Sequence, residues 1–321
     1  MASKQPPRLT ILFSTHNGAS TLPHMLDALE RLEAPAGGWK LVAVDNASTD
    51  DSATILQERA SRLPLTVLSE PRLGKSVALN TGLAAVEGDL VVLTDDDVTP
   101  HPQWLAAWRR LADDQPDYDI FGGAIEPVWP APPAAWILKD VPKGFFAGTD
   151  FKEGPAAPHE IWGPNMVVRR SVLDRISFND GIGPNGTMRY ATGAETEFVM
   201  RAVKAGHRCW HAPDIVVGHL IEPRQLTEQW ILQRAFNHAR GFRRLHSIHY
   251  PLANECSAPP RRVILRAIKI LMRLCGSIAR GQSQDRFKAM IALKTLEGDW
   301  IEWRFQRRRL MHLHDGATRI G

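Results

Sequence analysis

Three adjacent carboxylates, Asp95-Asp96-Asp97, stand between Thr94 and Val98, directly after an apolar run over 89–93. Like charges this close repel one another and gain little from folding unless a cation compensates them. Hard oxygen ligands at a strand end suit Mg²⁺ or Mn²⁺, which in turn bridge phosphate oxygens. An acidic turn ahead of Pro100 would explain the same residues without function, and their position along the chain decides between the two readings. Asp45-Asn46-Ala47-Ser48-Thr49-Asp50 follows another apolar run. An Asp there can accept from a base N–H or a ribose hydroxyl, while Asp50 is placed to cap the next helix. Arg72-Leu73-Gly74-Lys75-Ser76 resembles part of a phosphate loop without its full spacing.

The elements that must position these groups are visible in the hydrophobic pattern. Leu9–Phe13, Leu41–Val44, Leu65–Leu68 and Leu90–Leu93 read as buried parallel strands. Thr21–Leu32, Ser52–Leu63 and Lys75–Val86 carry apolar residues at helical spacing between them. Such alternation implies right-handed βαβ units and a doubly wound α/β sheet. Ligands of these sheets bind beyond the carboxyl ends of the strands, which is where Ser14–Asn17, Asp45–Asn46, Ser69–Lys75 and Asp95–Asp97 fall. Residues 127–164, rich in Pro, Gly and Trp, read as a long irregular binding loop. Helix is expected again at Glu195–Lys204 and Leu226–Arg240, followed by two basic amphipathic helices broken near Gly281.

Composition sets the frame. The chain has 321 residues, 44% hydrophobic and 23% charged, which is ordinary for a globular protein. Three scattered cysteines argue against a disulfide framework and a zinc site and for a reducing compartment. Neither a signal peptide nor a transmembrane helix is expected, so a cytoplasmic location follows. Net charge is +4, but residues 259–312 alone carry +9 against −5 for the rest. A mildly acidic body with a basic tail points to an anionic partner for the tail. In that tail Arg262, Arg266, Lys269 and Arg273 form one helical stripe in otherwise apolar surroundings, and Trp300, Trp303 and Phe305 precede Arg307–Arg309. The pattern suits the inner-leaflet surface of a membrane; packing on protein or in a homodimer is the competing use. Nucleic acid is disfavoured, because the cations alternate with aliphatics rather than with stacking aromatics.

Taken in order, these pieces resemble the inverting family-2 glycosyltransferases of bacterial polysaccharide and glycan synthesis, with a GT-A fold. The matching segments are Ser14-Thr15-His16-Asn17, Val44–Asp50, Gly74–Gly82, Asp95–Asp97 with Trp104-Leu105 behind it, Gly163–Arg170, Gly193–Phe198 leading to Arg201, Gly206 and Pro213, and Val217-Gly218-His219. The resemblance covers roughly residues 8–245 and implies a Rossmann-like, mostly parallel sheet flanked by helices over 1–250. Residues 251–321 would form the basic helical appendage. It also implies roles. Thr15, Asn17, Asp45, Gly74, Lys75, Asp95 and Asp96 would bind the nucleotide; Asp95, Asp97 and His219 would hold Mn²⁺ or Mg²⁺; Arg224 would clamp phosphate. The donor would be a nucleotide-diphosphate sugar, UDP-linked by family analogy, and the acceptor a hydroxyl of a glycan or lipid-linked glycan. Trp162 and Asn165 would meet that acceptor.

Direct displacement at an anomeric carbon needs a carboxylate to take the acceptor's proton. Where the family has a Glu-Asp pair opening a helix, this chain has Ala194-Glu195. Glu195 is therefore the first candidate base and Glu197 the second, and a helix start favours Glu in any case. The departure supports one alternative: a nucleotide-sugar-binding scaffold that has lost catalysis. A nucleotidyltransferase is disfavoured, because Ser14–Ser20 lacks the glycine-rich, arginine-containing loop of that class.

Overall fold

The computed structural model describes residues 8–249, 261–279 and 283–317, in two compact units. The first comprises residues up to 132 with 146–186 and 194–222; the second comprises 133–145, 187–193 and the residues from 223 onward. The expected boundary at 250/251 falls inside the second unit.

The first unit is built on a nine-stranded sheet. It begins with β1 (Leu9–Thr15), α1 (Leu22–Glu30), β2 (Trp39–Asp45), α2 (Ser52–Arg59), β3 (Leu65–Ser69), α3 (Lys75–Leu83) and β4 (Leu90–Leu93). These match the four apolar runs and the three helical stretches of the sequence. A short β5 (Val98–Pro100), α4 (Trp104–Asp114) and β6 (Ile120–Val128) follow. In the second unit α5 (Ala135–Asp140) comes next in chain order; then β7 (Gly154–Pro155), β8 (Met166–Arg169), α6 (Arg170–Leu173), α7 (Ala194–Lys204) and β9 (Cys209–Leu220) complete the first. The strand order is β3-β2-β1-β4-β8-β6-β9-β5, with β7 also on β9. β1 to β4, β6 and β9 share one direction, and β5, β7 and β8 oppose it. The sheet is therefore mostly parallel, as the sequence predicts.

The alternation of side chains along each central strand builds two cores, one on each face. Leu9, Ile11 and Phe13 of β1 pack with Leu22, Met25 and Leu26 of α1 and with Trp104 and Trp108 of α4. On the opposite face Leu12, Val42 and Val91 meet Ala78 and Leu79 of α3 and Phe198 and Val199 of α7. Helices on both faces bury the strands fully, which is why β1, β2 and β4 read as continuous apolar runs. Helix α7 follows the dipole rule: Glu195 and Glu197 lie in its first turn, Arg201 and Lys204 in its last, and Gly206 lies just beyond with φ 100°. The irregular stretch expected over 127–164 contains the end of β6, one short helix, β7 and single 3-10 turns.

In the second unit α8 (Glu228–His249), α9 (Arg261–Ala279) and α10 (Ser283–Ala317) account for the expected helices. Glu302 is wholly buried on α10, where Arg240 and Arg244 of α8 bind it at 2.6–3.0 Å. Arg243 pairs with Asp299 in the same way. Trp303, expected at a membrane interface, is buried and stacks on Trp300. The side chains of Arg262, Arg266 and Arg309, and residues 280–282, lie outside the described residues; Lys269 and Arg273 are exposed. Among the described residues, no helix is long and apolar enough to cross a membrane.

Candidate functional site

The site lies where the carboxyl ends of β1, β2, β3 and β4 open. The loop after β1 is stitched to the loop after β2. Asn17, at φ 56°, accepts from the Thr49 amide at 2.8 Å and its own N–H donates to Ser48 Oγ at 3.0 Å. Asp50 accepts from the Ser52 N–H and hydroxyl and, through its other oxygen, from the Ala19 N–H at 3.0 Å. Asp50 thus joins two loops; the N-cap of α2 is Asp51 rather than the expected Asp50, which binds the Ser52 N–H from one residue further out. Gly18 permits the closest approach, because a Cβ there would run into the Asp96 carboxylate and Thr15 Oγ1.

Buried Asn46 ties these loops to the next one. Its Nδ2 donates to the Glu70 and Arg72 carbonyls at 2.9 and 2.7 Å, and its Oδ1 accepts from the Gly74 N–H at 2.8 Å. Only its position beside Asp45 hinted at this role. Glu70 fastens the loop from its other end, with both oxygens on the Arg72 guanidinium and one on Thr81. Hydrogen bonds from Arg72 and then Thr81 hold its carboxyl down at about 2, against 4.5 for the free group. A depressed carboxyl stabilises the fold above its unfolded value, and that contribution is lost as pH falls toward the folded value. Glu70→Gln should therefore lower the melting temperature at pH 7, with the gap to wild type narrowing as pH drops below 4.5. A gap of constant size across that range would contradict this account.

The acid cluster sits beside this loop. Lys75, at the start of α3, reaches Asp95 Oδ1 at 2.6 Å and Glu195 Oε1 at 2.7 Å. Burial opposes the Lys75 charge, but the Asp95 and Glu195 charges overcome it and raise the ammonium above its usual range. Asp95 is raised by burial, against the pull of Lys75. Asp96 bonds the Thr15 hydroxyl and is pushed up to about 7 by burial and then by Asp97. Asp97 goes the other way. Burial opposes its charge, but His219, with Nε2 3.2 Å from Asp97 Oδ2, outweighs burial and holds it low. Asp97 Oδ1 is buried without a hydrogen-bond partner. Three neighbouring carboxyls thus have three different partners, and two of them are raised while the third is lowered. Gly163 leaves room for the base candidate, since a Cβ there would stand 2.6 Å from Glu195 Oε1.

A cavity of about 210 Å³ opens on this cluster. Thr15, Gly74, Lys75 and Asp95 to Asp97 line it, all expected, together with Ser14, His16, Asn46 and a wall from Pro184 and Gly186 that the sequence did not suggest. Asn17 lies in the adjoining loop and Asp45 at the end of β2, neither of them in this wall; Asp45 Oδ1 accepts from the Ser48 N–H at 3.3 Å. The two base candidates separate. Glu195 is at the cluster, whereas Glu197 is 1% exposed and clasped by the Arg201 guanidinium at 2.8–3.0 Å. Residues two apart on a helix point to nearly opposite sides, so only one of them can reach the site.

Trp162 is half-buried, donates its Nε1–H to the His159 carbonyl at 2.8 Å and meets Phe151 edge to face. Asn165 points inward. It is fully buried, accepts from Trp104 Nε1 at 3.0 Å and donates to the Ala124 and Ile215 carbonyls at 2.9 and 2.8 Å. These three bonds join α4, β6 and β9, which is structural work rather than acceptor contact. Asn165→Ala should cost on the order of 3 kcal/mol in urea unfolding at pH 7, because it strands one N–H and two carbonyls; an unchanged midpoint would refute this. Arg224 lies in the second unit, in the turn Pro223–Leu226 ahead of α8.

The sequence model described as Glycosyl transferase family 2 matches residues 10–177, the span that holds β1 to β4, the acid cluster and Lys75. The chain belongs to glycosyl transferase family 2. Among relatives of this family-2 glycosyltransferase, glycosyltransferase AglE of Haloferax volcanii is 25% identical over 219 residues, 68% of each chain. An undecaprenyl-phosphate 4-deoxy-4-formamido-L-arabinose transferase of Sodalis glossinidius is 30% identical over 123 residues, 36% of each chain. In fold, it is similar to a mannosyltransferase of Pyrobaculum calidifontis in complex with GDP-Man and Mn²⁺. The TM-score is 0.57 at 23% identity, over 91% of this chain and 87% of that one. S. aureus TarS 1–349 in complex with UDP-GlcNAc gives 0.54 at 15% identity, over 88% and 90%. The likeness confirms the GT-A architecture expected from the sequence.

Proposed function

We propose that this family-2 glycosyltransferase moves a sugar from a nucleotide-diphosphate donor to a hydroxyl acceptor by direct displacement with inversion. The observation that carries the reading is the Lys75 bridge. It brings Glu195, from the start of α7, to the acid cluster after β4 and beside the cavity. Of Glu195 and Glu197, Glu195 is our choice to take the acceptor's proton, as displacement requires, because Glu197 is buried on Arg201.

The residues present fit a divalent cation with a stated division of labour. Asp97 Oδ1, buried without a hydrogen-bond partner, is a hard oxygen donor suited to Mn²⁺ or Mg²⁺, and the borderline imidazole nitrogen of His219 beside it favours Mn²⁺ of the two. Asp95 is engaged by Lys75, and among the described residues no three acids or histidines are set to hold a metal by themselves. Such ions are commonly held by one or two carboxylates plus substrate phosphates, so the donor's diphosphate would complete the set. The metal would neutralise charge on the departing nucleoside diphosphate. Thr15 fixes the Asp96 carboxyl, Lys75 holds Asp95 and Glu195 together, and the loops joined by Asn46 and Asn17 shape the nucleotide end.

UDP is our choice of nucleotide, and a glycan or lipid-linked glycan our choice of acceptor. The undecaprenyl-phosphate transferase among the relatives supports the second. Trp162 and its aromatic neighbour Phe151 are our acceptor platform. A lipid-linked acceptor and the basic tail agree with work at the cytoplasmic face of a membrane, in glycan or polysaccharide synthesis. The test is a panel of nucleotide sugars incubated with Mn²⁺ and short prenyl-linked acceptors, followed by NMR. Release of nucleoside diphosphate with the anomeric configuration inverted is expected. A retained configuration would reject displacement, and no turnover with any donor would reject the transferase reading.

A further inference from the structure

The second unit has a hollow of its own, lined by a single carboxylate, Asp299. Helices α8, α9 and α10 enclose about 760 Å³ between them, within the roughly 300–1,000 Å³ range of ligand pockets. Its depth comes from small side chains: Ala235 and Ala239, one turn apart on α8, are buried, and Ala292 of α10 also lines it. Its polar side is cationic. Lys269 and Arg273, one turn apart on α9, line the hollow, are exposed, and make no ion pair or hydrogen bond among the described residues. Arg243 also lines it, but Asp299 neutralises it. His238 is held at about 4 by burial and then Arg234, so it adds no charge at neutral pH. The hollow therefore combines apolar side chains, among them Phe145, Phe242, Ile270 and Leu296, with polar His246 and Thr295 and with two positive charges that no described residue compensates.

The outer surface of α9 indicates where its ligand comes from. Leu265, Ile268 and Met272 are between 46% and 61% exposed. At 100° per residue they form one stripe, and Lys269 and Arg273 lie along its flank. A helix with an exposed apolar stripe bordered by cations suits the headgroup level of a lipid surface, where each half meets its complement. Free inorganic phosphate would use the cations and leave the walls bare; a neutral hydrocarbon would do the reverse.

We propose that the hollow between α8, α9 and α10 binds the phosphate-bearing end of a membrane lipid with a single prenyl or acyl chain. The chain would lie against Ala235, Ala239 and Ala292, and the phosphate on Lys269 and Arg273. This site is independent of the donor site and does not rest on the transferase reading.

The test uses the full chain and farnesyl phosphate as a soluble probe, with binding followed by calorimetry. Saturable binding is expected. Farnesol and inorganic phosphate should each bind at least about tenfold more weakly, since each keeps only one half of the recognition. The double variant Lys269→Glu/Arg273→Glu should lose at least about tenfold in affinity with unchanged circular dichroism, because both side chains are exposed. Ala292→Trp should reduce binding by filling the hollow while leaving both charges in place. Nucleotide-sugar binding, measured on the same preparations, should be unaffected by either variant, so failure of the donor site is read separately. Absence of saturable farnesyl phosphate binding would overturn the proposal. So would equal affinity for farnesol or for phosphate alone, or indifference to the charge reversal.

Discussion

Glu195→Gln should lower turnover by about 10²–10⁴-fold while leaving nucleotide-sugar affinity within a few-fold of wild type. The substitution keeps the shape beside Gly163 and removes the negative charge, and with it the ability to take a proton. The amide that replaces the carboxylate can still place its carbonyl oxygen near Lys75 Nζ, 2.7 Å away in the wild type, and Asp95 still holds that ammonium at 2.6 Å. The fold should therefore survive, and a loss of kcat without a matching loss of donor binding is the signature of the base. Glu197→Gln makes the control. Its carboxylate is buried on Arg201, so that change should act on stability and leave the chemistry of surviving enzyme intact. Unchanged turnover in Glu195→Gln would assign the proton to another group, whereas donor binding without turnover in wild type and variant alike would favour the scaffold reading that Ala194 in place of an acid invites.

The second large effect concerns Asp97→Asn. This carboxylate alone of the three is held low: burial opposes its charge, yet the neighbouring His219 prevails. It also presents a buried oxygen with no hydrogen-bond partner. Replacing it with an amide removes the charge and turns that position from a pure acceptor into a group that can also donate. Mn²⁺-supported affinity for the donor should fall by about a hundredfold or more, since loss even of the residues that only orient metal ligands costs about 10–100-fold. Thr15→Ala addresses a different carboxyl, Asp96, and should not reproduce this loss. Titration of Mn²⁺ in the presence of nucleoside diphosphate, on both variants, separates the two. Equal loss in both would mean that the loop geometry, not Asp97, governs the metal.

Much of this arrangement was legible because buried parallel strands declare themselves. β1, β2 and β4 are covered on both faces, so their sequences are uninterrupted apolar runs, and the polar residues that follow mark the ligand end of the sheet. β6 and β9 were not legible. Gly122-Gly123 and Pro127 punctuate the first, Pro213 the second, and the register between them shifts at Gly123/Ala124. Local pattern therefore reads as loop where non-local pairing makes sheet. The role of Lys75 was hidden for a related reason, since its partners stand 20 and 120 positions away in sequence. Asn165 was expected to meet the acceptor, and only burial shows that its hydrogen bonds are all directed inward. The sequence ranked Glu195 ahead of Glu197 only by its match to a motif, and helix α7 shows the geometry: Glu195 meets Lys75 at the cluster and Glu197 is buried on Arg201.

Calorimetric titration of nucleotide sugars into the protein, with and without Mn²⁺, for wild type and Asp97→Asn, tests the central claim most directly. The account predicts saturable binding of one nucleotide-diphosphate sugar to the wild type, strengthened by Mn²⁺, with that strengthening lost in the variant. Binding to no nucleotide sugar under either condition, or an Mn²⁺ effect that survives in Asp97→Asn, would contradict it.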